Sequence, residues 1–221
     1  MECKRVTILC GHYGSGKSNI AVNLAAELRR EYEYVTLADL DIVNPYFRSA
    51  DSRTELEEQG IRLIASGYVN SNLDVPALPA EIYSLCADRE SHVVIDLGGD
   101  DRGALALGRL RQFLLQEDDF DMVFVLNGYR PLTRTPAEVL EVMQEVEAAS
   151  GLPITAIVNN SNLGEETDAE TVLASLPLAE EVESLSGHPL LFTSVREELF
   201  SNLRPQIDRL FPLKLQEKYY Q

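Results

Sequence analysis

The residues with the clearest chemistry lie near the start of the chain, where residues 11–18 read Gly-His-Tyr-Gly-Ser-Gly-Lys-Ser. This spacing fits the pattern G-x-x-x-x-G-K-[ST], in which a glycine-rich turn points backbone N–H groups at phosphate oxygens. Lys17 can reach the β- and γ-phosphates, and Ser18 can offer its hydroxyl to Mg²⁺. We expect the whole loop to contact the nucleotide, through Gly11, His12, Tyr13, Gly14, Ser15, Gly16, Lys17 and Ser18.

The segments on either side of this loop support the interpretation. Residues 5–10 form a short, mostly apolar run that predicts a buried strand. After the loop, apolar residues recur at helical spacing from Ile20 to Leu28. Strand, glycine loop and helix is the context that the motif requires, and the positive end of the helix favours bound phosphate.

Two carboxylates follow the second predicted strand, residues 34–40, in the sequence Asp39-Leu40-Asp41. Side chains at i and i+2 of a strand point to the same side, so both carboxylates can face the loop. One acid can hold a metal-bound water while the other orients or activates the attacking water. The alternative is a pair of solvated or helix-capping acids.

A third acid, Asp96, lies near the end of the apolar strand predicted at residues 92–97, which is the Walker B pattern. We expect Asp96 to act on Mg²⁺ through a bound water or by holding one of the metal's ligands. The run Asp96 to Gly99 also spells D-x-x-G, where a glycine N–H can sense the γ-phosphate. Residues 100–102, Asp-Asp-Arg, are either part of a switch loop or a plain polar loop.

Asparagines follow the strand predicted at residues 154–158, in the sequence Asn159-Asn160-Ser161-Asn162. A side-chain amide can donate to adenine N7 and accept from N6, so we expect Asn159 or Asn160 to read adenine. The Asn-Lys-x-Asp pattern of guanine sites is absent from this stretch, which favours ATP over GTP. The alternative is an Asn-rich turn.

Two arginines, Arg130 and Arg134, follow the strand predicted at residues 122–126. A loop at this place would flank the nucleotide, so either arginine could contact phosphate or a partner. Exposed arginines are common on protein surfaces, and a solvated loop is the simpler interpretation.

The composition limits the classes of protein. With 221 residues and no linker, repeat or low-complexity stretch, the chain is predicted to form a single domain over residues 1–221. A net charge of −17 argues against direct binding of nucleic acid. The three cysteines lack C-x-x-C spacing. We find no signal peptide and no apolar run of transmembrane length, so we expect a cytoplasmic protein.

Strands and helices are predicted to alternate along the chain, which favours an α/β fold with a mostly parallel sheet of about seven strands and helices on both faces. The remaining strands are predicted at residues 61–65 and 190–194. Further helices are predicted at residues 53–59, 77–88, 104–115, 136–149, 169–185 (with Pro177 breaking or kinking it) and 196–203. Ligands collect at the carboxyl ends of such strands.

Taken together, the loop, Asp39-x-Asp41, Asp96-x-x-Gly99 and the asparagines resemble the MinD/ParA/CobQ family of P-loop ATPases, a deviant Walker A family of the SIMIBI class. The resemblance extends from the first strand to residues 192–194. It implies a three-layer α/β/α fold and Mg-ATP bound at a homodimer interface.

The resemblance also implies roles for single residues. Lys17 and Ser18 resemble the residues that hold phosphate and Mg²⁺, and Asp41 resembles the catalytic acid that positions water. Asp39 and Asp96 resemble metal-shell acids, and Asn159 or Asn160 resembles the adenine reader.

One departure from the family lies inside the loop. Many members carry a signature lysine just after the first glycine, which reaches the partner's ATP, whereas this chain has His12. A neutral imidazole cannot replace an ammonium group at the transition state. Either another cation, such as Arg48 or Arg102, supplies the charge, or hydrolysis is slow. Tyr13 also replaces the usual glycine and narrows the room for a partner loop.

Three kinds of function fit these residues. The first is a slow Mg-ATP hydrolase that acts as a switch or assembly factor for a protein client. The second is an ATP-dependent biosynthetic enzyme of the CobQ/CobB type, a ligase or phosphoryl transferase with a small-molecule substrate. The third is a binding module that has lost catalysis. Residues 46–48, Tyr-Phe-Arg, could build a pocket for either of the first two.

Two segments have no assigned chemistry. Residues 66–79 are too long for a tight turn and are predicted to lie over the site. The tail, residues 199–221, has only short amphipathic stretches interrupted by Pro205 and Pro212. We therefore expect the tail to pack on the domain rather than to bind a membrane.

Overall fold

The computed structural model describes residues 4–41, 53–65, 82, 85, 88–99, 103 and 107–215. Several sequence predictions lie outside these residues, namely those for residues 46–48, 66–79 and 100–102 and for most of the helix at 77–88. Within that helix, residues 82 and 85 are described and are helical.

The strands join into one sheet in which all the neighbouring pairs are parallel. They are β1 (Val6–Cys10), β2 (Val35–Leu40), β3 (Ile61–Ala65), β4 (His92–Leu97), β5 (Phe120–Leu126), β6 (Ala156–Asn159), β7 (Leu190–Arg196) and β8 (Leu210–Leu213). Their order across the sheet is β3-β2-β4-β1-β5-β6-β7-β8. The predicted α/β fold with a mostly parallel sheet is confirmed, with eight strands in place of about seven.

The helices of the described residues cover both faces of the sheet. They are α1 (Lys17–Glu31), α2 (Arg53–Glu58), α3 (Arg111–Glu117), α4 (Pro136–Ser150), α5 (Ala169–Ser186) and α6 (Glu197–Leu203). One core joins the sheet to α3, α4 and α5, and a second core joins its other face to α1 and α2. Successive residues of β1 show the strand alternation, because Ile8 belongs to the first core and Leu9 to the second.

Local sequence explains where α4 begins and ends. Thr135 accepts from the backbone of Glu138, whose side chain bonds back to the N–H of Thr135, and Pro136 occupies the first turn. Gly151 ends the helix with φ 67°. Of the two effects predicted for Pro177, a break in the helix is wrong, because α5 runs continuously through that residue, and a kink stays a prediction.

The one strand beyond the seven predicted along the chain is β8, which contains Pro212. A proline lacks the N–H that a central strand must donate, but an edge strand tolerates it. β8 lies at the edge and pairs only with β7, with Pro212 opposite Val195. Beyond β8, the ammonium group of Lys214 binds Glu55 at 2.7 Å. No helix among the described residues is long and apolar enough to cross a membrane.

β1 lies at the point where the connections between the strands change direction. From β1 the chain crosses to β2 on one side, whereas β5 lies on the other side of β1. Ligands of open α/β sheets bind at such a point, where the direction of the connections reverses. The glycine-rich loop begins there, directly after Cys10.

Candidate functional site

The phosphate loop, residues 11–18, joins β1 to α1 in a conformation that requires glycine at three places. Gly11, Gly14 and Gly16 have φ of 136°, 74° and 90°. A Cβ at Gly11 would lie 2.7 Å from the Val125 carbonyl oxygen, and one at Gly16 would lie 2.2 Å from Asn160 Nδ2. The loop is therefore pressed against β5 and against the segment that follows β6.

The ammonium group of Lys17 lies inside this loop. Lys17 is buried, and its Nζ donates to the carbonyl oxygens of Gly11 and His12, both at 3.1 Å. The Ser15 N–H also donates to the His12 oxygen, at 3.2 Å. The lysine and this N–H thus converge on one carbonyl oxygen of the loop.

Two acids face each other across neighbouring strands. Asp39 of β2 and Asp96 of β4 are register partners, and both are buried. One carboxylate oxygen of Asp39 accepts from the Asp41 N–H at 3.0 Å, which places Asp41 at the rim of the site. Within the described part of the chain, neither carboxylate oxygen of Asp96 has a hydrogen-bond partner.

The charge of Asp96 is poorly compensated. Burial, together with the negative charges of Asp39 and Asp41, raises the pKa of Asp96 to about 7. The nearby Ser18 hydroxyl and Lys17 ammonium group oppose this shift, although the hydroxyl does not meet hydrogen-bond geometry toward Asp96. A cation placed beside Asp96 would stabilise the ionised form.

The donor set at this place fits Mg²⁺. Carboxylate and hydroxyl oxygens are the hard ligands that Mg²⁺ prefers, and Asp39, Asp96 and Ser18 supply them. No group of three or more His, Cys, Asp or Glu residues suited to a metal occurs among the described residues. Mg²⁺ does not need such a group. It keeps several water ligands, binds substrate phosphates directly, and takes only one or two carboxylates from the protein.

Gly99, the glycine of D-x-x-G, lies against the phosphate loop. A Cβ at Gly99 would be 2.8 Å from both N and Cα of Tyr13 and 3.0 Å from Lys17 Nζ. Any larger residue would therefore displace the loop or its lysine. The contact couples the segment after β4 directly to the loop.

The two predicted adenine readers point into the protein. Asn159 is fully buried, and its amide nitrogen donates to Ser175 Oγ at 2.9 Å. Asn160 donates from Nδ2 to the Ser15 carbonyl oxygen at 2.6 Å and accepts from the Ser194 hydroxyl at 2.6 Å. Base reading by either residue stays a prediction, while the observed contact of Asn160 is with the phosphate loop.

Sequence reasoning missed two residues that hold this edge together. Asn127, directly after β5, is buried and accepts through Oδ1 from the N–H groups of Tyr129 and Asn162. Ser194 of β7 holds the amide of Asn160. A polar residue in or directly after an apolar strand was the available signal in both cases.

His12 and Tyr13 lie on the open side of the loop. The His12 ring is partly exposed, and its Nδ1–H donates to the Tyr13 carbonyl oxygen at 3.0 Å. The Tyr13 side chain is 58% exposed. Both side chains are therefore available to a molecule that approaches the loop from outside.

No protein-family model matches this sequence, and no curated protein matches it significantly. Solved structures are similar in fold. The cell division protein FtsY of Thermotoga maritima matches with a TM-score of 0.56 and 17% identity, over 86% of this chain and 61% of that chain. The signal recognition particle 54 kDa protein of Aeropyrum pernix, in complex with GDP, matches with a TM-score of 0.54 and 19% identity, over 87% and 41%.

A third similar structure is FlhF complexed with GTP and Mg²⁺, with a TM-score of 0.52 and 16% identity over 87% of this chain and 66% of that chain. The chain thus spans less than two thirds of the length of each of these proteins. At such identities the likeness shows the fold alone, which is the α/β fold of P-loop NTPases with a mostly parallel sheet.

The raised pKa of Asp96 predicts that the free energy of unfolding decreases between acidic and neutral pH. This pKa is about 7 in the folded protein and 3.8 in the free side chain. Between these values the unfolded chain releases a proton that the folded protein retains, so the free energy of unfolding falls as pH rises. In chelator without nucleotide, the parent should lose about 2 to 3 kcal/mol more than Asp96→Asn between pH 5 and pH 8, measured by urea unfolding. Equal losses of unfolding free energy in the parent and in Asp96→Asn would contradict the raised pKa of Asp96.

Asn160 allows the loop contact to be separated from base reading. In Asn160→Ala the Ser15 oxygen and Ser194 hydroxyl lose their partner, so we expect phosphate binding to weaken about tenfold. Titration calorimetry should show the same loss for Mg-ATP and for Mg-tripolyphosphate, which has no base. Gln144→Ala is the control, because it removes an exposed side-chain amide on α4. A loss confined to ATP would instead support base reading.

Proposed function

We propose that this chain binds Mg²⁺ and ATP at the phosphate loop, hydrolyses ATP slowly, and acts as a nucleotide-dependent switch or assembly factor. One observation carries this proposal. Asp39 and Asp96 lie side by side next to Ser18 and Lys17, and neither oxygen of the buried Asp96 carboxylate has a hydrogen-bond partner among the described residues. A magnesium-bound triphosphate has the charge and the ligands that this arrangement lacks.

Each part of the site has a separate task in the proposed mechanism. The N–H groups of the loop hold the phosphates, and the Lys17 ammonium group exchanges the carbonyl oxygens of Gly11 and His12 for phosphate oxygens. Ser18, Asp39 and Asp96 would hold Mg²⁺, which when bound neutralises charge on the β- and γ-phosphates. Asp41 orients the attacking water, and Asp39 fixes the backbone of Asp41.

The choice of ATP rests on the sequence of residues 159–162, which lacks the lysine and aspartate of a guanine site. Two of the similar structures contain a guanine nucleotide, since the signal recognition particle protein is in complex with GDP and FlhF is complexed with GTP and Mg²⁺. Both nucleotides therefore belong in every binding experiment.

A switch needs a route from the phosphates to a surface. Gly99 touches the backbone of Tyr13 and lies near Lys17, so a shift of the loop on nucleotide binding would also move the segment after β4. Tyr13 and His12 face outward beside the loop, where a second copy of the chain or a client protein could bind. Membership of the MinD/ParA/CobQ family, the homodimer and the cytoplasmic location belong to the same proposal.

The role of Lys17 is tested by binding. Lys17→Ala removes the one ammonium group inside the described loop, so we expect affinity for Mg-ATP to fall at least about a hundredfold. Fluorescence titration with labelled ATP and GTP gives the affinity and the base preference together. Lys4→Ala is the control, because Lys4 is exposed and precedes β1 at the opposite end of the sheet. Unchanged affinity in Lys17→Ala would overturn the proposed function.

The role of Asp41 is tested by turnover. Asp41→Asn should slow hydrolysis by about two to four orders of magnitude, because the amide no longer accepts a proton, with little change in ATP affinity. Phosphate release is measured with and without candidate protein clients. Asp208→Asn is a matched control, because Asp208 is exposed in the turn before β8. Hydrolysis by Asp41→Asn at the parent rate would rule out this assignment, and a stoichiometric small-molecule product would favour the biosynthetic alternative.

A further inference from the structure

The turn that follows β5 holds Arg130 in a fixed place beside the phosphate loop. The backbone N–H of Arg130 donates to the backbone carbonyl oxygen of Asn127 at 3.1 Å, and the Thr133 hydroxyl donates to the same oxygen at 2.7 Å. The Tyr129 hydroxyl ties the turn to the Thr171 carbonyl oxygen at 2.7 Å. Because Asn127 is buried, the backbone of Arg130 is anchored to the end of the sheet.

The side chain of Arg130 reaches the phosphate loop. Its Nε donates to the Gly14 carbonyl oxygen at 3.0 Å, a bond between residues 116 apart in sequence. A Cβ at Gly14 would lie 3.6 to 3.8 Å from Nε, Cδ and Cζ of this arginine. The cation thus covers the loop at Gly14 in van der Waals contact.

The direction of this bond shows what it does to the loop. In a trans peptide, the carbonyl group and the N–H of the next residue point in opposite directions, and the described peptide bonds are all trans. The Gly14 oxygen faces Arg130, whereas the Ser15 N–H of the same peptide donates to the His12 oxygen, which also binds Lys17. Arg130 therefore fixes the oxygen end of a peptide whose N–H is bound to the same carbonyl oxygen as the Lys17 ammonium group.

The next peptide is held in the same manner. The Ser15 oxygen accepts from Asn160 at 2.6 Å, so two consecutive carbonyl groups of the loop are bound from outside. Arg130 differs from Asn160 in carrying a charge. A cation at the oxygen end of a peptide stabilises the dipole that directs its N–H toward an anion.

We infer that Arg130 is a positioning residue for the bound phosphates: it orients and polarises the Gly14–Ser15 peptide from outside the loop. This inference rests on the proposed phosphate site, and it assigns to Arg130 a contribution made through the loop backbone. The cation acts in a protein of net charge −17, where an incoming triphosphate is otherwise repelled.

The test compares two arginines four residues apart. Arg130→Met keeps much of the side-chain bulk but cannot donate, and Arg134→Met removes an exposed arginine of the same segment as a control. We expect Arg130→Met to weaken binding of both Mg-ATP and Mg-tripolyphosphate about threefold to tenfold, with Arg134→Met at the parent value. Arg130→Lys should recover part of the loss.

Amide hydrogen exchange of residues 11–18, measured without nucleotide, reports the positioning itself. We expect faster exchange in the loop of Arg130→Met than in the parent or in Arg134→Met, with unchanged thermal unfolding. Parent-like binding and exchange in Arg130→Met would overturn the inference, as would a loss confined to ATP. If Lys17→Ala also binds Mg-ATP with parent affinity, the proposed phosphate site is wrong. In that case the hydrogen exchange of residues 11–18 still decides whether Arg130 orders the loop.

Discussion

The shape of the phosphate loop depends on donors that lie outside its own turn. A loop that directs N–H groups inward must direct carbonyl groups outward, and each of these needs a partner. Arg130, after β5, supplies one, and Asn160, after β6, supplies the next. Lys17 holds the carbonyl groups at the start of the loop. The conformation of the loop thus depends on residues that follow β5 and β6 as well as on its own glycines.

Burial of two acids in register is the main electrostatic cost of this architecture. Desolvation and the charge of Asp39 raise the pKa of Asp96 to about 7. Such a pair destabilises the folded protein near neutral pH unless a cation neutralises it. A ligand that binds only the folded protein stabilises it, so a bound metal and its phosphates can offset this loss of stability.

The polar residues at the end of β5, β6 and β7 form a connected support. Asn127 and Ser194 are buried, and they hold the turn carrying Arg130 and the amide of Asn160. Because buried polar groups are costly without partners, this network has few alternative arrangements. The rigidity that results explains how an exposed arginine can keep a defined contact with the loop.

The sequence by itself determined the local units of this protein. Strand periodicity, the glycine spacing and the helical repeat that follows are all encoded within about 30 residues, so β1, the loop and α1 could be predicted. The acids at the ends of β2 and β4 could be predicted for the same reason, since a strand fixes the direction of its own side chains.

Tertiary structure decided which of these units meet. That Asp39 faces Asp96 follows from the pairing of β2 with β4, a contact between residues 57 positions apart that no local pattern encodes. Pro212 suits a strand only because β8 lies at the edge of the sheet. Asn159 and Asn160, at the end of β6, point inward because they form hydrogen bonds with buried partners on α5, on β7 and in the phosphate loop. Hydrogen bonds between distant segments depend on the packed sheet, and so only the folded chain assigns Asn160 and Arg130 to the phosphate loop.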